Sequence, residues 1–142
     1  MGFDGEHRAL VGCGMAHVHS TLITIKEAAD KGLGVFAVRR IPKDAEIERV
    51  PVLVLPADDI YGQDGTSKLA GYVFEWEEGE IALALGYGSL YNHSFQPNAQ
   101  YWREGDDTQI YVALRDIEPG EEITINYNRD LDNHDDVGFE VI

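Results

Sequence analysis

The sequence predicts a mainly β domain with few, short helices. Three observations carry this: a succession of short runs rich in Val, Ile, Tyr and Phe, turn residues recurring every ~8–12 positions, and almost no apolar recurrence at the helical period. At 142 residues the chain has the length of one domain with enough surface to bury a proper core.

Residues 1–20 are punctuated by Gly and His without a period and read as a flexible amino-terminal arm, leaving 21–142 as the domain. Leu22-Ile23-Thr24-Ile25 is β-branched and reads as a strand; Lys26 to Gly34 reads as a loop, and Val35 to Val38 as a second strand. Ile41 to Ile47 reads as a turn leading into a strand, and Pro51 to Leu55 as another, stopped by Pro56. Asp58 to Gly71 is polar and reads as a loop with at most a short helix around Lys68. Tyr72 to Trp76 and Ile81 to Leu85 read as strands of a hairpin joined through Glu77-Glu78-Gly79-Glu80. Gly86 to Ser94 is too rich in Gly, Tyr and Asn for a plain strand, whereas Asn98–Arg103, Gln109–Arg115 and Glu122–Tyr127 read as three more. The tail 128–142 is polar and acidic up to its last six residues. Ile41-Pro-Lys-Asp-Ala-Glu-Ile47 echoes Ile117-Glu-Pro-Gly-Glu-Glu-Ile123, which predicts two similarly built sheet corners; Pro119-Gly120 fit the centre of a type II turn.

Composition narrows the function. Apolar residues make up 44% of the chain, so the acidity does not mean disorder. With 11 Lys+Arg against 26 Asp+Glu the formal charge is −15, which repels phosphate, argues against nucleic acid as a direct ligand and favours a Lys/Arg-rich protein or peptide. The single Cys13 excludes an internal disulfide framework and a multi-cysteine zinc cluster. No apolar run approaches the ~20 residues of a membrane span, and the amino terminus lacks the basic and apolar regions of a signal peptide. These features predict an intracellular protein without a membrane partner; a homodimer is left open.

Three segments could carry chemistry. Gly32-Leu33-Gly34 would let backbone approach a ligand, although a plain turn explains it as well when taken alone. Gly86 to Ser94 gathers Tyr87, Tyr91, Asn92 and His93, offering two hydroxyls, an amide and an imidazole to a polar ligand. In Glu122 to Tyr127, period-2 alternation puts Ile123, Ile125 and Tyr127 on one face; the Tyr127 hydroxyl then enters the interior and needs a partner, as a core cap or as a functional group. Cys13, His17 and His19 have a zinc-like spacing but no fourth ligand nearby, and no metal site is predicted.

In this order and spacing, Lys31-Gly-Leu-Gly-Val-Phe-Ala37, Ala84-Leu-Gly-Tyr-Gly-Ser-Leu-Tyr-Asn-His-Ser94 with Pro97-Asn98-Ala99, and Gly120-Glu-Glu-Ile-Thr-Ile-Asn-Tyr127 resemble the SET domain of protein-lysine methyltransferases, most closely the small stand-alone kind found in bacteria and viruses. The resemblance runs from about Leu22 to Tyr127. It implies several short sheets with a carboxy-terminal pseudoknot, and transfer of a methyl group from S-adenosyl-L-methionine to the ε-amine of a lysine. It further implies that Gly32, Leu33, Gly34, Asn92, His93 and Tyr127 meet the cofactor, that Tyr127 is catalytic, and that Tyr72, Tyr87 and Tyr91 line the lysine channel. The tail 128–142, through Phe139, would close the site. Asn126 departs from the family's frequent Asp before the tyrosine, a change expected to be tolerated. The implied substrate is a histone tail or another Lys-rich protein, with a nuclear or chromatin location for a viral or eukaryotic source and a cytoplasmic one for a bacterial source. Two other functions compete: a catalytically silent SET-like peptide-binding module, and a β domain acting through a zinc- or partner-binding arm.

Overall fold

The computed structural model describes residues 18–61 and 67–128. Its strands are β1 (Ile23–Ala28), β2 (Gly32–Ala37), β3 (Glu46–Pro56), β4 (Val73–Glu75), β5 (Glu80–Ala84), β6 (Asn92–His93), β7 (Ala99–Glu104), β8 (Thr108–Ala113) and β9 (Glu122–Ile125). Helix among the described residues is limited to α1 (Ala57–Tyr61) and two 3₁₀ turns, Lys68–Tyr72 and Gly88–Leu90. The mainly β architecture is the one the sequence predicts. Most of the expected arm, with Cys13 and His17, and nearly all of the tail, with Phe139, lie outside the described residues. The arm's last residue, Ser20, is tied down: its Oγ donates to the Ile47 carbonyl at 2.7 Å.

The strands form two sheets, ordered β1-β2-β9-β6 and β4-β5-β3-β8-β7. Their inner faces meet in one core, where Val35, Ile41, Ile117, Ile123 and Ile125 are wholly buried. The alternation expected in β9 is thus obeyed. β9 joins antiparallel β2 on one edge and parallel β6 on the other, so the last described strand is inserted between earlier segments.

Two expected boundaries change. The loop expected at 26–34 shrinks to three residues, because β1 and β2 pair from Ile23↔Ala37 to Ala28↔Gly32. The two strands expected on either side of Pro51 are one, β3, although proline cannot donate to a ladder. The reason is a change of partner: residues 46–51 pair with β8 and residues 52–56 with β5. Pro51 sits at the handover and contributes only its carbonyl, which accepts from Leu85 N at 3.0 Å. Helix α1 occupies the start of the expected loop; a single turn is too short to show a period in the sequence.

The echoed corners face each other. Ile41 and Ile117 exchange both backbone hydrogen bonds, each at 2.8 Å. Gly120 adopts φ 89°, and its counterpart Asp44 adopts φ 72°, a left-handed conformation that suits glycine better. Asp44→Gly should therefore stabilise the protein by about 0.5–1 kcal/mol, the relieved strain exceeding the added chain entropy. A urea titration checks this; an unchanged or lower midpoint would show that the Asp44 side chain supports the turn.

Candidate active site

The β1–β2 hairpin, the 3₁₀ turn Lys68–Tyr72 and the segment Ser89–His93 enclose a cavity of about 470 Å³ together with Tyr127. That volume suits a cofactor-sized molecule. Asp30 at φ 58° and Gly32 at φ 77° turn the hairpin tightly. This leaves Gly32 and Leu33 exposed at the wall, Leu33 at 51%.

The second wall is organised by Glu122 at the start of β9. Its Oε1 pairs with Lys31 Nζ at 2.8 Å. Its Oε2 accepts from Asn92 Nδ2 at 2.7 Å, and the same amide donates to the Leu33 carbonyl at 3.1 Å. A Cβ on Gly34 would stand 2.6 Å from Glu122 Oε2 and 2.9 Å from Asn92 Nδ2. Gly34 thus leaves the room in which Asn92 and Glu122 meet, although it does not itself border the cavity.

Parallel pairing of β6 with β9 sets Asn92 beside Thr124 and His93 beside Ile125. It thereby delivers His93 to Tyr127, whose N–H donates to His93 Nδ1 at 3.0 Å. Burial holds the imidazole below its usual pKa, so it is neutral, and the accepting Nδ1 puts the ring proton on Nε2. The Tyr127 carbonyl accepts from Tyr101 Oη at 3.1 Å, and the Tyr127 hydroxyl donates to the Tyr91 carbonyl at 2.8 Å. Burial first, then the neighbouring Tyr72 and Glu122, push Tyr127 up to about 12. Its hydroxyl stays protonated at neutral pH; it can orient a substrate but does not act as a base.

Buried Asn98 braces β9 from beneath: Nδ2 donates to the Glu122 carbonyl and Oδ1 accepts from Thr124 N, each at 2.9 Å. Asn126 is 1% exposed and accepts from Asn128 N at 2.9 Å. An aspartate there would bury a charge, so the amide is the cheaper occupant of this position.

The expected site residues separate as follows. Gly32, Leu33, Tyr72, Tyr91, Asn92, His93 and Tyr127 converge on the cavity. Tyr87 does not border it; its ring packs half-buried against the core and its N–H donates to Glu48 Oε2. Tyr91 borders the cavity as well, but its ring is not placed as an open channel wall. A channel wall needs an accessible ring, whereas the Tyr91 ring is 1% exposed, stacked on Tyr111 at 4.3 Å, with its hydroxyl donated to Glu48. What Tyr91 presents to Tyr127 is its carbonyl. Glu122, Lys31 and Asp30 were missed as site residues. The available signal lay in β9: with Ile123 and Ile125 inward, Glu122 alternates onto the other face, and β9 is central.

The chain matches the SET domain over residues 32–128. It belongs to the SET-domain family. SET domains transfer methyl groups to the ε-amine of protein lysines, and this chain is an enzyme of that kind. It is 38% identical over 112 residues to the Schizosaccharomyces pombe histone-lysine N-methyltransferase specific for H3 lysine-37, covering 77% of this chain and 75% of that protein. It is 34% identical over 119 residues to the Caenorhabditis elegans histone-lysine N-methyltransferase mes-4, covering 69% of this chain but only 13% of that longer protein. A solved Plasmodium falciparum structure, described as a candidate histone methyltransferase, superimposes with a TM-score of 0.62 at 30% identity, covering 78% of this chain and 94% of that one.

SET methyltransferases in general depend on S-adenosyl-L-methionine, and the cavity of this SET domain fits such a group. It combines a cation (Lys31), a carboxylate (Asp30), an amide (Asn92) and an apolar wall (Leu33), with Glu122 behind them holding Lys31 and Asn92 in the room that Gly34 leaves. No group of three or more metal-ligating side chains occurs among the described residues.

Proposed function

We propose that this SET domain binds S-adenosyl-L-methionine in the cavity between the β1–β2 hairpin and Asn92-His93, and methylates a lysine of a histone tail or a similarly basic protein. The observation that carries the reading is the fixed Tyr127 hydroxyl at the cavity wall, 2.8 Å from the Tyr91 carbonyl. Gly32, Leu33, Asn92 and His93 are assigned to the cofactor, Tyr127 to catalysis and Tyr72 to the lysine channel. Tyr72 is 49% exposed and lies beside Tyr127 at the cavity, which suits an aromatic wall for an aliphatic side chain.

When bound, the cofactor supplies an electrophilic methyl group. The chain's own work is to present an uncharged, correctly aimed amine. A lysine begins with a pKa of about 10.4, and an aromatic, water-poor channel lowers it by disfavouring the ammonium. Tyr127, protonated at neutral pH, cannot take that proton. Its oxygen is an acceptor as well as a donor, which suits it to orient an amine N–H while its own proton is held by Tyr91. Positioning of this kind supplies much of the rate in a transfer between two bound groups.

The substrate class rests on charge and on kinship. A chain of net charge −15 attracts Lys/Arg-rich partners, and both curated relatives are named for histone lysines. A chromatin location follows from that substrate. Among the described residues no helix is long and apolar enough to cross a membrane.

Calorimetry with S-adenosyl-L-methionine tests the assignment of the cavity. Asn92→Ala should weaken binding by about 1 kcal/mol or more, the scale of a lost polar contact, and binding should persist in chelator. Undiminished affinity in Asn92→Ala would remove Asn92 from the cofactor site.

A further inference from the structure

We infer that Glu48, in the core behind the cavity, is a positioning residue for Tyr127, acting through Tyr91. Its kinetic test rests on the methyltransferase function proposed above; its structural test does not. Glu48 is only 7% exposed, an unusual place for a carboxylate. A register irregularity between Glu46 and Glu48 in the β3–β8 pairing lets the neighbours Ile47 and Glu48 both face inward.

The two carboxylate oxygens are divided between two points of one segment. Oε1 accepts from Tyr91 Oη at 2.8 Å, and Oε2 accepts from Tyr87 N at 3.0 Å. These partners bracket the 3₁₀ turn Gly88–Leu90, so one side chain ties both of its ends. The segment is pressed onto the carboxylate, since a Cβ on Gly86, at φ 59°, would stand 2.9 Å from Glu48 Oε2. Tyr111 completes the seat: its ring stacks on Tyr91 and its hydroxyl donates to the Gly88 carbonyl at 2.7 Å.

Tyr91 therefore has two working ends. Its hydroxyl is anchored in the core by Glu48, and its carbonyl receives the Tyr127 hydroxyl at 2.8 Å. Burying a carboxylate is costly, and a well-packed apolar residue would stabilise a core at least as well. What an apolar residue cannot do is fix the height and tilt of the Tyr91 carbonyl. Burial also raises the Glu48 pKa above the usual carboxylate range, in keeping with its core location.

Glu48→Gln and Tyr91→Phe each test this, the first keeping the shape of the side chain and the second keeping ring and carbonyl. Each should lower kcat about 5- to 20-fold, the cost of a loosened but not deleted catalytic group, with cofactor affinity changed less than about 2-fold. In a Tyr127→Phe background the same substitutions should lower kcat less than about 2-fold, because the hydroxyl they aim is already gone. Independently of turnover, the ring resonances of Tyr127 in carbon-13-labelled protein should move in both variants. Equal kcat losses in both backgrounds, or an unmoved Tyr127 resonance, would overturn the inference and leave Glu48 a merely structural group. If Glu48→Gln fails to fold, Tyr91→Phe decides by the same criteria. If the unaltered protein transfers no methyl group, the proposed function fails, and the Tyr127 resonances alone decide the role of Glu48.

Discussion

Tyr127→Phe should lower kcat about 100-fold or more while leaving cofactor affinity within a few-fold. The substitution keeps the ring in its place beside His93 and removes only the hydroxyl that donates to the Tyr91 carbonyl. That hydroxyl matters most when amine and methyl group are brought into line, so its loss falls on the transition state, on the scale of removing one preorganised polar group. Stability should fall by only about 1 kcal/mol, the net worth of one hydrogen bond. The pH profile supplies a second check. Tyr127 is an acid whose pKa is raised to about 12, so it keeps its proton at every pH below that. Any rise of kcat between pH 7 and about 10 then belongs to the lysine losing its proton, and the profile should keep its shape in Tyr127→Phe while dropping in height. A Tyr127→Phe protein that turns over normally would remove the hydroxyl from the mechanism; one that unfolds would make Tyr127 a core cap.

Gly34→Ala should cost at least about 10-fold in affinity for S-adenosyl-L-methionine, equivalent to about 1.4 kcal/mol. The added methyl group would meet Glu122 Oε2 at 2.6 Å and Asn92 Nδ2 at 2.9 Å, closer than real contacts allow. Both side chains are ends of a network that also holds Lys31 and the Leu33 carbonyl, so relief of the clash displaces several cavity groups at once. Gly32→Ala separates space from conformation: no atom lies within 4 Å of its Cβ position, but φ 77° makes the substitution strained. Calorimetry on Gly34→Ala decides the point. Unchanged affinity would mean that Asn92 and Glu122 give way without consequence for the cofactor.

The parts of this molecule that follow from local pattern were legible in its residues. Alternation in 122–127 placed Ile123, Ile125 and Tyr127 inward, and the turn chemistry of Pro119-Gly120 located a corner whose partner at Asp44 the internal echo also located. Position in three ordered motifs already groups Asn92, His93 and Tyr127. What was not legible depends on partners remote in the chain. Tyr91 stands in a motif full of ligand-like groups, yet its ring faces a carboxylate 43 residues away. Pro51 looked like a break because only the change of partner strand, from β8 to β5, removes the need for its N–H. Glu122 read as an ordinary polar strand residue until β2 and β6 closed around it.

The most direct measurement is transfer of labelled methyl from S-adenosyl-L-methionine to a histone-tail peptide, with the same peptide carrying arginine in place of each lysine as control. Label is expected in the lysine peptide and none in the arginine peptide, with a rate at least about 100-fold lower for Tyr127→Phe. Label in the arginine peptide, or no label in any basic protein although the cofactor binds, would contradict the proposed function.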